Sequence, residues 1–267
     1  MQANSPLILH KQTLPFLNIS LYLNDIKPVQ SLTIENTSDV DSAPVEVRIT
    51  ADLACIEPFR YNVSLVPAKK EVKIPLEDLK VNRDFLNRLS ETEKANFTIE
   101  LVENDAIVIK DVIAISIHSF EHFGGFQILP ELIAAYITPN HPYIYHIKRK
   151  AVEVLEKQGL KTAFEGYQSN DPERVLQIMS AIYSAIQSEE IIYSSLPPGY
   201  EETGQRLRLL NTIQQEKFAN CIDISLLFAA CLEAVDLNPI LIIVRGHAFI
   251  RCWLQDDKFP EVINDDK

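Results

Sequence analysis

The chain is short of cysteines and of long apolar runs, and each shortage excludes a class of protein. Its four cysteines, at positions 55, 221, 231 and 252, include no Cys-x-x-Cys pair. They are too few for a disulfide scaffold and are not spaced like a structural zinc site. No apolar stretch approaches the roughly 20 residues of a membrane span, and the N-terminal stretch does not resemble a signal peptide. We therefore expect a cytoplasmic, reducing setting.

Basic residues are also few. The chain has 25 Lys and Arg against 37 Asp and Glu, a formal net charge of −12 at pH 7. A protein that binds a phosphate backbone needs clustered Lys and Arg. We therefore expect this segment to bind neither nucleic acid nor a membrane.

The first half of the sequence is a series of short strand-like segments. An extended arm or edge strand is predicted at residues 1–14, and residues 17–23 alternate between apolar and polar side chains. Further strands are predicted at 31–34, 45–49, 61–65, 71–74, 97–101 and 107–117, with a short helix within 83–94. Strands of this length and spacing are typical of an immunoglobulin-like β-sandwich, which we place at residues 1–123.

Two histidines, His118 and His122, lie at the end of this region. With His141 or His146 they suggest a metal site, but the HExxH pattern and nearby cysteines are both missing, so we expect no metal. Gly124 and the glycine after it then predict the hinge to a second domain at residues 124–267.

From residue 129 onwards the apolar pattern has a helical period. Helices are predicted at 129–136, 142–159 and 171–186, with Gly159 ending the second and Asp171-Pro172 beginning the third. Strands follow these helices near the end of the chain. The second domain is therefore predicted to be α+β.

The stretch 220–234 is apolar on nearly every side, which predicts a buried helix with Cys221 in its first turn. A strand is predicted at 240–244, and Gly246-His247 begins another. The free amide groups of a helix N-terminus stabilise a thiolate, and a nearby imidazole is the usual base, so this order suits a Cys–His nucleophilic pair. A structural cysteine and a structural histidine are the alternative.

The sequence around these residues resembles the transglutaminase-like branch of the papain-type fold. More narrowly, it resembles the version found in large bacterial proteins that carry a superfamily-one helicase. The resemblance covers residues 128–267 and rests on Cys-x-Asp at 221–223 with the apolar helix after it, Leu-Asn-Pro at 237–239, Gly-His-Ala-Phe at 246–249, and segments 136–142 and 204–208. It implies a papain-like α+β core with Cys221 as nucleophile and His247 as general base and acid.

In that family an acidic residue on the strand after the histidine orients the imidazole. The resemblance places this strand at 261–264 and makes Asp265 and Asp266 the candidates. Because relatives continue further along their chains, we expect the domain to be truncated here, and the alternative is a carboxylate that belongs to sequence beyond Lys267. Asp256 and the aspartate after it are expected to be solvated turn residues.

Four residues near the nucleophile are expected to support it. Asp223, in the first turn, suits the helix dipole but opposes a thiolate unless it pairs with Arg206 or Arg208. Gln205 is a candidate donor to the oxyanion of the reaction. An ordinary surface loop is the alternative for the whole 204–208 segment.

The sequence leaves the roles of three further positions open. Gln215 matches the spacing of the papain oxyanion glutamine but lies among polar neighbours. Trp253 either packs on the sheet or lines the cleft. Asn220 stands where the family has threonine after glycine, yet asparagine still suits a helix cap.

Two function hypotheses follow. The first is acyl transfer through a thioester on a protein or peptide substrate, by hydrolysis, deamidation or transamidation. The second is a non-catalytic interaction or regulatory module that binds a partner protein or the helicase region of a longer chain. Neither hypothesis requires a cofactor.

Overall fold

The computed structural model describes residues 5–127, 129–195 and 204–264. The chain divides into two compact units, Met1–Phe120 and Glu121–Lys267. Both helices and strands are present, so the predicted α+β class is confirmed. None of the helices in the described ranges is both long and apolar enough to cross a membrane.

The first unit contains two sheets. Its strands are β1 (Leu7–Thr13), β2 (Phe16–Leu17), β3 (Val29–Asn36), β4 (Val45–Ala51), β5 (Phe59–Val63), β6 (Glu71–Lys73), β7 (Glu93–Glu103) and β8 (Ala106–Ile117). One sheet has the order β1-β3-β6 and the other the order β2-β8-β7-β4-β5. All strand pairs are antiparallel except β2 with β8.

Alternating side chains explain the core of this unit. In β4, Val45, Val47 and Ile49 are buried, and the residues between them reach solvent. Phe97 and Ile99 of the neighbouring β7 are buried in the same way. A period of two therefore buries one face of the larger sheet.

The predicted strand at 17–23 is wrong. Only Phe16–Leu17 is extended, and a short helix, α1 (Ile19–Leu23), follows. Asn18 explains the change, because its side chain caps the helix by accepting a hydrogen bond from the N–H of Leu21 at 2.9 Å. The predicted helix within 83–94 is present as α2 (Arg83–Arg88).

The second unit has helices α3 (Pro142–Lys157), α4 (Pro172–Gln187), α5 (Leu210–Glu216) and α6 (Cys221–Glu233), and 3₁₀ helices at Pro130–Tyr136 and Gly166–Ser169. Its strands are β9 (His122–Phe123), β10 (Ile192–Tyr193), β11 (Gln205–Arg206), β12 (Phe218–Ala219), β13 (Pro239–Val244) and β14 (His247–Cys252). Strand β9 pairs with β11, β10 runs parallel to β12, and β13 and β14 form a hairpin.

Helix α6 lies inside this unit. Buried residues of α3, α4 and α6, among them Ile147, Ile182 and Leu227, share one core. Burial also raises the pKa of Cys231, on α6, to about 12, so this thiol is a neutral part of the core. The helix that carries Cys221 is therefore held on several sides, as its apolar sequence predicts.

Candidate functional site

Cys221 is the first residue of α6, and the local sequence explains why the helix begins there. The side chain of Asn220 accepts hydrogen bonds from the N–H groups of Ile222 and Asp223, each at 3.1 Å. Asp223 in turn accepts from the N–H of Asn220 at 3.1 Å. This reciprocal capping box satisfies the amides of the first turn, and it fixes the position of Cys221, which is only 4% exposed.

Asp223 is buried and held by an ion pair. Arg208 donates to it from its backbone N–H at 2.9 Å and from Nη1 at 3.2 Å. Arg206, the other predicted partner, instead binds Glu121, with Nε 2.6 Å from Oε2. Burial raises the pKa of Asp223 above its ordinary value, although hydrogen bonds from Asn220 and Arg208 oppose the rise. Arg208 therefore compensates the charge of the carboxylate that lies two residues after Cys221.

His247 begins β14, directly after the hairpin turn. Gly246 has a φ of 75°, a conformation that favours glycine in such turns. Side chains alternate along β14, so Ala248 is buried and His247 is exposed. The imidazole stacks with the ring of Phe249 at a centroid distance of 6.2 Å. The imidazole therefore lies on the opposite face of the strand from Ala248.

The hairpin reaches Cys221 through its backbone. The N–H of Ala248 donates a hydrogen bond to Sγ of Cys221 at 3.3 Å. The peptide group between His247 and Ala248 thus lies against the thiol. Both predicted catalytic residues belong to the described part of the chain, where no hydrogen bond joins this thiol to the imidazole. In the fold, the backbone just after His247 contacts the sulfur of Cys221. The catalytic roles of the two residues stay predictions.

Tyr193 is a neighbour of Cys221 that the sequence does not indicate. It lies on β10 opposite Ala219 of β12, and the N–H of Ser194 donates to the carbonyl oxygen of Ala219 at 2.8 Å. The Tyr193 side chain is 56% exposed, and its partial burial, with the charge of the Cys221 sulfur next in size, raises the pKa of its phenol. Strands of two residues leave almost no periodic signal, so this contact is invisible in the sequence.

Gln205 lies against the cap of α6. It is 5% exposed, and its Oε1 accepts a hydrogen bond from Nδ2 of Asn220 at 3.5 Å. The residue before it, Gly204, has a φ of 75°, and a Cβ there would lie 2.0 Å from the carbonyl oxygen of Phe123. Only glycine therefore allows β11 to pair so closely with β9. The 204–208 segment is thus part of the packed unit, unlike an ordinary surface loop.

The two remaining candidates that the structure describes are Gln215 and Trp253. Gln215 is exposed on α5, in spite of its papain-like spacing. Trp253 follows β14, where its ring meets Phe259 edge-on at 5.2 Å and its carbonyl oxygen accepts from the hydroxyl of Tyr167 at 2.8 Å. Trp253 therefore lies beside the hairpin end, and neither of its two predicted roles is tested by these contacts.

The predicted strand at 261–264 is wrong, because these residues are exposed and extend no sheet. No side of the 254–264 segment is buried, and Pro260 cannot donate to a strand ladder. Asp256 is an exposed turn residue, as expected, and accepts from Nδ2 of Asn238 at 3.2 Å. Asp265 and Asp266, the candidates for orienting the imidazole, lie outside the described residues.

A buried carboxylate just after α4 binds four side chains of the second unit. Glu189 accepts hydrogen bonds from the side chains of Tyr143 at 3.1 Å, His146 at 2.9 Å, Lys150 at 2.5 Å, and Lys217. Burial raises the pKa of Glu189, but these bonds outweigh it and hold the pKa at about 2. One sequence signal was available, since an acidic residue near a helix C-terminus opposes the dipole and needs compensation.

One group of described residues gathers three atoms able to bind a metal. These are in the side chains of His10, Glu35 and Glu71 on β1, β3 and β6, all within 4.8 Å of one another. His10 is paired with Glu35 at 2.8 Å, and Glu71 lies opposite Glu35 in the register. A solvated cross-strand ion pair accounts for this arrangement, so we assign it no metal.

Comparison with known proteins adds no identification. The chain matches no model of a protein family and no curated protein. The resemblance to transglutaminase-like proteins is therefore carried by its sequence motifs, and the site by the geometry around Cys221.

Proposed function

We propose that the second unit is a cysteine-dependent acyl-transfer domain of the transglutaminase-like, papain-type fold. Cys221 is the nucleophile and His247 the general base and acid. The observation that carries the proposal is the 3.3 Å contact from the N–H of Ala248 to Sγ of Cys221. It brings the start of a buried helix and the start of the histidine strand together at the sulfur. In the same proposal the two sheets of the first unit form an immunoglobulin-like sandwich.

The chemistry needs a thiolate and a base within reach. The positive end of the α6 dipole and the Ala248 N–H favour negative charge at the sulfur. The Cα of His247 is two covalent bonds from the amide nitrogen that contacts the thiol. The proposal therefore requires the imidazole to leave its stacked position on Phe249 and turn towards the sulfur, and such hydrogen bonds often close only when substrate binds.

In the reaction, the thiolate attacks the carbonyl carbon of a protein or peptide substrate and forms a thioester. The proton held by His247 passes to the leaving amine. Water, activated by the same imidazole, then releases the acyl group. Hydrolysis is the default outcome because water needs no dedicated acceptor site, whereas transamidation needs a bound amine.

The test is the pH dependence of iodoacetamide alkylation at Cys221, with peptide mapping to separate it from the other cysteines. We expect reaction well below pH 8.5, about the reference pKa of a free cysteine. His247→Ala should move the profile to higher pH. His10→Ala, which removes an exposed imidazole of the first unit, should leave the profile unchanged.

Specific features favour the second candidate function, a non-catalytic binding module. The thiol is buried, its sulfur accepts a backbone hydrogen bond, and the imidazole stacks on Phe249. A partner protein or another region of a longer chain would then occupy the site. If Cys221 resists alkylation at every pH in the folded protein, this function replaces acyl transfer.

A further inference from the structure

The β13–β14 hairpin packs on the core with one face, and its other face points away from that core. Ile250 and Cys252 lie against the core that α3, α4 and α6 share. Side chains alternate along a strand, and directly opposite residues of an antiparallel pair point to the same face. The register therefore places six side chains on the other face: Ile240, Ile242, Val244, His247, Phe249 and Arg251. We call these six the outer face.

The middle of the outer face is apolar and reaches solvent. Val244 is 46% exposed, and Ile240, Ile242 and Phe249 are half-buried. Branched and aromatic side chains suit a binding surface because they are stiff and bring much apolar area to a contact. Neighbouring apolar side chains at a surface with a polar rim are typical of protein–protein contacts. The outer face therefore has the composition of a binding surface.

Charged groups border this apolar middle. The guanidinium of Arg251 lies over the ring of Phe249, 5.8 Å from its centroid, and the imidazole of His247 stacks on the same ring. Arg245, in the hairpin turn, is exposed. Neither arginine forms an ion pair with a residue in the described ranges. The hairpin therefore offers two guanidinium groups to a partner, one near each end of the outer face.

The charge of this surface is opposite to that of the chain as a whole. The chain has a formal net charge of −12, yet residues 237–255 contain Arg245, His247 and Arg251 and no Asp or Glu. Guanidinium groups bind carboxylates through paired, charge-assisted hydrogen bonds. Charge complementarity therefore favours an acidic partner at the outer face.

The spacing of the charges limits the shape of that partner. His247 and Arg251 are four residues apart on β14, so their Cα atoms are separated by about 13 Å at about 3.3 Å per residue. Arg245 lies beyond His247 in the turn. An extended peptide covers this span with about four residues. A nucleic acid carries a phosphate at every nucleotide and needs clustered cations, which two separated arginines do not supply. A short acidic peptide therefore fits better.

We propose that the outer face binds an extended acidic segment of a partner protein. The segment is apolar in its middle, where it covers Val244 and Phe249. Its carboxylates bind Arg245 at one end and Arg251 at the other. This role goes beyond the proposed function, since it holds whether or not Cys221 reacts.

The test is the binding of a fluorescein-labelled octapeptide to the whole chain, followed by fluorescence anisotropy. The four middle residues of the peptide are leucine and valine, and two aspartates stand at each end. One control peptide has lysines in place of the aspartates, and another has serines in place of the apolar residues. We expect saturable binding of the acidic peptide below about 1 mM and much weaker binding of both controls. Raising the salt concentration from about 0.05 M to about 0.5 M should weaken the binding.

Variants at exposed positions locate the peptide. Arg245→Gln and Arg251→Gln should each weaken binding about fivefold, the effect of one lost surface ion pair. Val244→Ser should weaken it severalfold through lost apolar contact. Arg149→Gln, at an exposed arginine of α3, is the matched control and should leave binding unchanged. All four side chains are exposed, so the variants are expected to fold.

Each alternative gives a different result. The proposal is overturned if the acidic peptide does not bind, if the lysine peptide binds as well, or if the variants bind like wild type. Tighter binding of an oligothymidine of about ten nucleotides through the same arginines would make the surface a nucleic-acid site instead. A dimer in sedimentation equilibrium that Arg251→Gln dissociates would make a second copy of the chain the occupant. An inert Cys221 in the alkylation test would remove the proposed function and leave this binding unaffected.

Discussion

The second unit has two buried carboxylates, Glu189 and Asp223, and they are satisfied in opposite ways. Glu189 binds Lys217, which precedes Cys221 in the chain, whereas Asp223 follows Cys221 in the first turn of α6. Burial and hydrogen bonding compete at both carboxylates. Bonding prevails at Glu189, whose pKa is held at about 2, and burial prevails at Asp223, whose pKa is raised.

The kind of donor explains the difference. Lys150 and Lys217 bring full charges to Glu189 and remain partly exposed, so they keep some of their hydration. Asp223 is fully enclosed and receives one guanidinium and backbone amides. A charged cluster open to water on one side therefore keeps a carboxylate ionised more readily than a closed backbone cap does.

Removing Glu189 should have the largest effect. Glu189→Gln leaves Lys150 and Lys217 facing an amide, and we expect it to lower the free energy of unfolding of the second unit by about 3 kcal/mol. Urea denaturation followed by fluorescence of Trp253, the single tryptophan, measures this. Glu190→Gln, at an exposed neighbour, is the control and should change stability little. Equal effects of the two variants would mean that the buried cluster contributes nothing.

The pH dependence of Glu189→Gln has a definite sign. The pKa of Glu189 is about 2 in the folded chain and about 4.3 when unfolded. The stabilisation by the ionised group is therefore complete above about pH 4.3 and is lost as the pH falls towards 2. The difference in stability between wild type and variant should narrow over that interval.

The segment that carries the partner of Asp223 depends on close contact between the backbones of β11 and β9. Gly204→Ala should lower stability by about 2 kcal/mol, since the new Cβ meets the carbonyl oxygen of Phe123 and φ is positive. Gly159→Ala is a matched control, because its φ is also positive but no atom lies within 4 Å of the added Cβ. It should cost about 1 kcal/mol. Equal losses of stability in the two variants would show that β11 moves away from the added Cβ at no further cost in free energy.

The local parts of the site were predictable from the sequence. Helix α6 follows from its apolar pattern, and the capping of Asp171 over α4 is present, with its carboxylate 3.0 Å from the N–H of Glu173. An ion pair from 204–208 to Asp223 was also expected. These features depend on residues that are close in sequence or on one side chain matched to another by charge.

The parts that were not predictable depend on register and on distant pairing. A strand that shifts by one residue exchanges its faces, so the spacing of Cys221 and His247 did not reveal that Ala248 meets the thiol. The four donors to Glu189 come from α3 and from the end of α5. In 17–23, one capping side chain overrode an alternating pattern. Burial that depends on distant residues leaves no local signal.

Asp223→Asn should give the opposite pH trend to Glu189→Gln. The variant keeps an acceptor for the cap but loses the charge facing Arg208, and we expect a loss of about 1.5 kcal/mol. Because the folded pKa of Asp223 is raised, ionisation costs wild-type stability as the pH rises through the interval between the unfolded and folded pKa values. The loss measured for the variant should therefore narrow as the pH rises. Parallel trends for the two variants would refute the comparison.

The smallest expected effect on stability distinguishes Arg206 from Arg208, which the sequence offers as alternative partners of Asp223. Arg206 is 58% exposed in its pair with Glu121, so Arg206→Gln should change stability by less than about 0.5 kcal/mol, and added salt should remove that change. Arg208→Gln leaves the buried Asp223 uncompensated and should cost several times more. Urea denaturation of both variants at low and high salt measures the difference. The opposite result would be a loss for Arg206→Gln that is as large as that for Arg208→Gln and does not change with salt. The ion pair that stabilises α6 would then be the one made by Arg206 on β11, and not the one made by Asp223.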